Sequence, residues 1–486
     1  MGLLARVARN LVALTTSLIL ERAISFVLFL FIARWLGADA LGEYALAFSF
    51  LAIFETASVF GQNLLVVREV ARDRESAAHY LVNSSALVLL VSIASAFVMP
   101  HVARSLGYPA STVAYVSLMG LVLIPDSLAV IPESVIQGWE RMEYITLFRF
   151  LANLAGTALA IVLLVNGGDL TSVLWVIMAQ RALLAALYIG WVWRRVRPLK
   201  WPNPKVVAGL ARISAVFMAM NLFAAIYKNV DVWILRGTGS AAQAGYYSAA
   251  DRPVQIVGLV APLVMVAIFP SLTETYRISP ERFARILRAG MRGLLLTLPF
   301  IAMVITVAAP AFVDLAYGEG YQESVVPLQL LAWSLVPTFL AALLFRAILA
   351  SNHERVSLRV AFVNMVFNGA LNLLLIPHWG AVGASLVALL TPVVGLAQNY
   401  WFVERRLVHL EAGKNLLRPA VGVLLSAALF LLLPHSLHLA VRGLLMALAY
   451  LIYSFSSGAV SRVEMALIPV LLRDLKRSYR AESHGD

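Results

Sequence analysis

The chain of 486 residues is 61% hydrophobic and 13% charged, with a net charge of +12 and a mean hydropathy of +0.84. Soluble domains are about a quarter charged, so the composition excludes a soluble globular enzyme and indicates an all-α polytopic membrane protein. The absence of cysteine excludes disulfides, thiolate metal sites and thiol catalysis, and the basic residues lie in short loops between apolar runs, which points to anionic headgroups and away from nucleic acid.

Apolar runs predict about fourteen spans, at 11–35, 43–62, 80–99, 113–136, 146–165, 173–193, 211–235, 244–269, 291–313, 324–349, 359–376, 382–402, 418–434 and 440–459. The first run is too long for a signal-peptide core and lacks a clear cleavage site, so it reads as a retained helix. An even count puts both termini on one side. Lys and Arg crowd alternate loops, including Arg68, Arg72 and Arg74, Arg141 and Arg149, and Arg194 to Lys205. The opposite loops hold Arg34, Arg104, Arg236 and Arg442, so the termini are expected in the cytoplasm and the chain in the inner membrane.

The Pro-rich basic connection Arg194–Lys205 marks a linker between the sixth and seventh spans. On either side of it a pattern repeats. Gly42-Glu43-Tyr44-Ala45 follows Gly37 and small residues, and Gly245-Tyr246-Tyr247-Ser248 follows Gly239 and small residues. Six spans return the chain to its starting face, so the repeat predicts two pseudo-symmetric six-helix lobes, 1–200 and 201–410, followed by two additional helices and a cytoplasmic tail at 411–486. The stretch from Arg462 to Tyr479 reads either as a helix lying on the inner leaflet or as a polar tail broken by Pro469.

Ionisable residues inside spans are costly unless they face a partner or a wet cavity. Arg22, Arg181, Lys228 and Arg252 are the candidate cationic lining of a central cavity suited to phosphate, since guanidinium groups bind it bidentately. Glu21, Glu55 and Asp231 are candidate ion-coupling groups, and the spacing of Lys228 and Asp231 allows them to pair along one helix face. Asp126 and Glu133, seven apart, read as a cation or proton site instead of a hydrolytic dyad. No catalytic residue or metal ligand set is expected, and Ala412-Gly413-Lys414-Asn415 lacks the features of a nucleotide-phosphate loop.

Ile32-Ala33-Arg34-Trp35-Leu36-Gly37, Gly42-Glu43-Tyr44-Ala45 and Val66-Val67-Arg68-Glu69-Val70-Ala71-Arg72 resemble the opening of the polysaccharide biosynthesis, or Wzx-type, oligosaccharide flippases of the multidrug/oligosaccharidyl-lipid/polysaccharide exporter superfamily. Asp231-Val232-Trp233-Ile234-Leu235, Gly245-Tyr246-Tyr247 and Ala249-Ala250-Asp251-Arg252 resemble that family's seventh and eighth helices. The resemblance implies a monomeric, non-enzymatic transporter that moves a polyprenyl-phosphate-linked or pyrophosphate-linked oligosaccharide outward by alternating access. It also implies coupling to a proton or sodium gradient without a resident cofactor, with membrane lipids and glycosyltransferases or a polymerase of the same pathway as partners. Asp251 stands where the family more often has a neutral residue, which bears on the charge of Arg252. A cation-coupled multidrug antiporter and a lipid II flippase of the same superfamily are the competing readings.

Overall fold

A backbone in hydrocarbon has no water to satisfy its N–H and C=O groups, so apolar runs of this length fold as helices. The computed structural model describes residues 3–196, 201–410, 417–434, 437 and 439–457, and the elements found among them are helical. In chain order they are α1 (Leu3–Val59), α2 (Gln62–Arg72), α3 (Ala77–Ser105), α4 (Ala110–Gly138), α5 (Met142–Val165), α6 (Leu170–Trp193), α7 (Pro204–Thr238), α8 (Ala241–Gly258), α9 (Val260–Ile278), α10 (Pro280–Tyr317), α11 (Val325–Ala350), α12 (Glu354–Arg406), α13 (Leu417–Leu432) and α14 (Leu439–Ser456). Among the described residues eight helical stretches are long and apolar enough to cross a membrane. The protein is an all-helical, multi-pass membrane protein. The basic stretch from Arg462 to Tyr479 lies outside the described residues.

Two expected loops are single-residue kinks. A straight helix of 57 residues would run about 85 Å against roughly 30 Å of hydrocarbon. α1 avoids this at Gly37, whose φ of 81° is open to glycine and strained for side-chain-bearing residues. The chain doubles back there: the rings of Phe29 and Tyr44 are 6.5 Å apart, whereas 15 residues of straight helix would separate them by about 22 Å. α12 turns in the same way at Gly380, with φ of 51°. Across that kink Asn368 Nδ2 donates to Thr391 Oγ1 at 3.2 Å, and Gln398 Nε2 donates to Asn364 Oδ1 at 3.1 Å.

The structure departs from expectation at two further places. The expected span at 244–269 is divided, with α8 ending at Gly258 and α9 starting at Val260. Arg68 and Arg72, expected in a loop, sit on α2, an amphipathic helix that buries Val66 and Val70 and holds Glu69 beside Arg68 at 2.8 Å. Spacing of i, i+4 for the valines gives that helix its one apolar stripe.

The chain divides into two compact units, Met1–Ser248 and Ala249–Asp486. The first has a core in which Val66, Val70, Val135, Ile136, Tyr188 and Val192 pack together. In the second, Met291, Leu343, Leu344, Ala347 and Val403 form the corresponding cluster. α14 is anchored to α10 through Met446 and Tyr450 against Met303, and the Tyr450 hydroxyl donates to Leu295 O at 2.6 Å.

α6 starts at a side-chain cap. Asp169 Oδ1 accepts from Ser172 Oγ at 2.7 Å and from Ser172 N at 3.0 Å. The Ser172 hydroxyl, then its backbone N–H, hold the Asp169 carboxyl below the usual carboxylate range. Asp169→Ala is expected to destabilise the protein by about 0.5–1 kcal/mol, at the low end for a cap because the site is exposed. A depressed folded-state pKa means that the contribution is complete above the unfolded-state value near 3.9 and is lost as pH falls through the folded value. Thermal melts of the native chain and the variant should therefore differ at pH 7 and converge in acid.

Candidate functional site

Inside the first unit, α1, α4, α5 and α6 enclose a polar cavity of about 270 Å³. Glu21 and Glu55 enter from the two arms of α1, Asp126 and Glu133 from α4, Arg149 and Asn153 from α5, and Gln180 and Arg181 from α6. Helical spacing explains the convergence: 126 and 133 are seven apart and 149 and 153 four apart, so each pair shares one face. Pro125 and Pro132 immediately precede the two α4 carboxylates and remove two N–H donors from that helix.

Four carboxylates and two guanidinium groups line the cavity, an excess of two negative charges when all are ionised. Arg149 Nη2 donates to Glu133 Oε1 at 2.7 Å and its Nη1 to Glu21 Oε2 at 3.4 Å. Arg181 Nη1 lies 3.4 Å from Asp126 Oδ1, while Asp126 Oδ2 is buried without a hydrogen-bond partner. Glu55 forms no ion pair among the described residues. At about 30 Å³ per water the cavity holds on the order of nine waters. That suits a hydrated monovalent cation or a proton and is far too small for an oligosaccharide. No group of three His, Cys, Asp or Glu converges closely enough for a metal ion among the described residues.

Of the seven residues singled out from sequence, this cavity gathers Glu21, Glu55 and Arg181. Arg22 is exposed on α1 and Lys228 is exposed on α7. Arg252 is half-buried on α8 and belongs to the second unit. Asp231 accepts from the Tyr247 hydroxyl and from Val232 N, and the pair with Lys228 that the spacing allows is not formed. Its partner comes from α8 across the interhelical turn, a contact that spacing within α7 does not encode. Arg149, counted by charge as a loop residue, is instead half-buried in the ion cluster. Its i, i+4 relation to Asn153 is the sequence signal that could have found it.

A second constellation joins the two copies of the repeated Gly motif. α1 and α8 cross so closely that a Cβ added at Gly42 would sit 1.8 Å from Ala241 O, and one added at Gly245 would sit 2.1 Å from Ala38 O. The contact is reciprocal, each glycine meeting the carbonyl four residues before the other, as two related hairpins about a local twofold would pack. Asp39 Oδ1 accepts from Ala242 N at 3.0 Å. Beside the crossing, Arg236 donates to Glu43 Oε1 through Nε at 3.0 Å and Nη2 at 2.8 Å, and Nη2 also reaches Thr112 Oγ1 at 3.0 Å. Arg236, expected in a loop, is here in a pair whose side chains are 13% and 12% exposed. Trp233 stacks on Phe50 with centroids 4.0 Å apart and donates to Ser49 Oγ at 2.9 Å, and Tyr108 donates to Trp233 O at 2.8 Å.

Comparison with known proteins agrees with this architecture. A probable low-salt glycan biosynthesis flippase, Agl15 of Haloferax volcanii, is 22% identical over 392 residues, which are 79% of this chain and 80% of that protein. An uncharacterised membrane protein of Methanocaldococcus jannaschii, MJ1068, is 20% identical over 300 residues, 58% of each chain. Among solved structures, the lipid II flippase MurJ in an inward closed conformation superposes with a TM-score of 0.71 at 15% identity, covering 90% of this chain and 97% of that one. An inward-facing multidrug resistance MATE family transporter of the MOP superfamily gives 0.64 at 15% identity, covering 81% and 98%. These two likenesses establish the fold. The polysaccharide biosynthesis protein family matches residues 7–276, more than half of the sequence, and the chain belongs to that family.

Proposed function

We propose that the protein flips a polyprenyl-(pyro)phosphate-linked oligosaccharide across the cytoplasmic membrane by alternating access, for cell-surface polysaccharide or glycan assembly, with both termini in the cytoplasm. The family match over residues 7–276 is the observation that carries the substrate class, and the glycan flippase relative supports it. Partners of the same pathway would be glycosyltransferases or a polymerase.

The acid-rich cavity serves as the coupling site in this reading. Its excess negative charge is relieved when a proton or sodium ion binds at Glu55 and the orphaned Asp126 Oδ2. With the inside negative, an entering cation is favoured by about 2.3 kcal/mol per 100 mV, and so is one negative charge leaving with the substrate. Arg22 and Lys228, exposed and without a carboxylate partner among the described residues, are the proposed pyrophosphate anchors together with Arg252. Arg181 acts within the coupling site, and Asp231 positions α7 against α8 through Tyr247.

Flipping of a fluorescent polyprenyl-pyrophosphate oligosaccharide in proteoliposomes tests the reading. The native chain should transport faster under an inward cation gradient, and Glu55→Gln should abolish that acceleration while leaving gradient-independent flipping. Arg22→Ala and Lys228→Ala should each lower flipping by at least about tenfold if they bind phosphate. A native chain that flips no lipid-linked sugar but extrudes a cationic dye would assign it to the multidrug antiporters, whose fold it shares.

A further inference from the structure

At one end of the first unit, separate from the acid-rich cavity, lies a larger pocket of about 1050 Å³. It is bounded by the α2–α3 turn, the α4–α5 turn, the end of α6 and the start of α7. Its volume is at the upper end of the range for ligand sites. The α7 side is fixed in place, because Asn203 N donates at 2.8 Å to Oδ1 of Asn83, a buried residue of α3.

The lining is basic and aromatic. Arg74, Arg141 and Arg195 face it against one carboxylate, Glu75. Arg141 has Glu143 at 3.4 Å in an exposed pair of little strength, and Arg74 and Arg195 have no carboxylate partner among the described residues. Arg195 is held in position, its Nη1 donating to Trp191 O at 2.8 Å and its guanidinium carbon 3.8 Å from the centre of the Trp191 ring. Trp191 in turn packs on Tyr144 at 4.9 Å and on Trp139 at 6.0 Å. At the rim Trp201 is 94% exposed, an aromatic lip of the kind that sits where headgroups meet acyl chains.

We infer that this pocket binds the anionic, phosphate-bearing headgroup of a membrane amphiphile. Guanidinium groups take the phosphate, the Trp191 and Tyr144 rings wall the site, and Trp201 meets the start of the lipid chain. An anionic phospholipid and a polyprenyl-phosphate sugar both present this chemistry. The inference goes beyond the transport reading and does not depend on it.

Native mass spectrometry of the full chain in detergent, offered phosphatidylglycerol, phosphatidylcholine or a polyprenyl-phosphate hexose, tests the inference. One or both anionic lipids should be retained about tenfold better than phosphatidylcholine, and Arg74→Gln/Arg195→Gln should remove that preference. The control Arg282→Gln/Arg285→Gln deletes the same charge from exposed positions on α10 and should leave retention unchanged. Retention of phosphatidylglycerol alone identifies a phospholipid site, and retention of the prenyl sugar alone identifies a substrate headgroup. Equal loss in both double variants, or no preference over phosphatidylcholine, overturns the inference. Arg74→Gln alone, at an exposed residue, gives the same readout at about threefold should the double variant fail to fold.

Discussion

Arg149→Leu should be among the most destabilising single substitutions in the first unit. Among the described residues Arg149 is the one cation touching both Glu21 and Glu133, so its removal leaves two carboxylates facing each other across a small cavity. Removing one partner of a buried pair costs about 3–5 kcal/mol, because the remaining charge is neither solvated nor compensated. The Arg149, Glu133 and Glu21 side chains are 30%, 20% and 32% exposed and the cavity has room for water, so screening puts this site at or below the lower end of that range. The double variant Arg149→Leu/Glu133→Leu should recover much of the loss, since replacing both partners by apolar groups is often neutral. Thermal melts in detergent of the four members of this cycle would show the coupling directly. A single variant that melts with the native protein would mean that the cluster is dispersed in solution.

The cavity also shows how far composition and spacing specify the site. Long apolar runs announce spans because the hydrocarbon imposes length and helicity together, and among the described residues most expected spans fall on one helix or one arm of a kinked helix, the span at 244–269 being divided between α8 and α9. Loop lengths are less legible. Residues 36–42 read as a turn from their small side chains, yet only Gly37 leaves the helical conformation and the remaining small residues serve a close helix crossing. Charge counting misplaced Arg149 because the apolar run starts at 146, whereas α5 begins at Met142 and carries that side chain two turns inward. Arg236 and Glu43 are 193 positions apart, and nothing local to either announces their pair. The repeat, by contrast, is visible in the sequence, whereas the reciprocal contact between its copies is set by the packing of α1 against α8.

Gly42→Ala and Gly245→Ala should each force α1 and α8 apart. Overpacking a core usually costs about 1–3 kcal/mol, with side-chain rotation absorbing much of the strain. Here the added methyl meets backbone carbonyls at 1.8 Å and 2.1 Å, which no rotamer change can relieve, so the helices themselves have to move. Separation would break the Asp39 contact to Ala242 N and loosen the Arg236 pair with Glu43. A transporter that works by alternating access has to open and close such crossings, and a variant barred from this one would favour the states in which it is open. The chain has no cysteine, so a single Ala244→Cys supplies a clean reporter at a fully buried position beside the crossing. N-ethylmaleimide should label that thiol slowly in the otherwise native protein and at least about tenfold faster with Gly42→Ala or Gly245→Ala, the ratio that about 1.4 kcal/mol of opening free energy produces. If the proposed cation coupling holds, labelling in native proteoliposomes should also rise under a cation gradient. Equal labelling in all backgrounds, with folding and flipping intact, would show that the α1–α8 crossing is neither tight in the native protein nor part of its cycle.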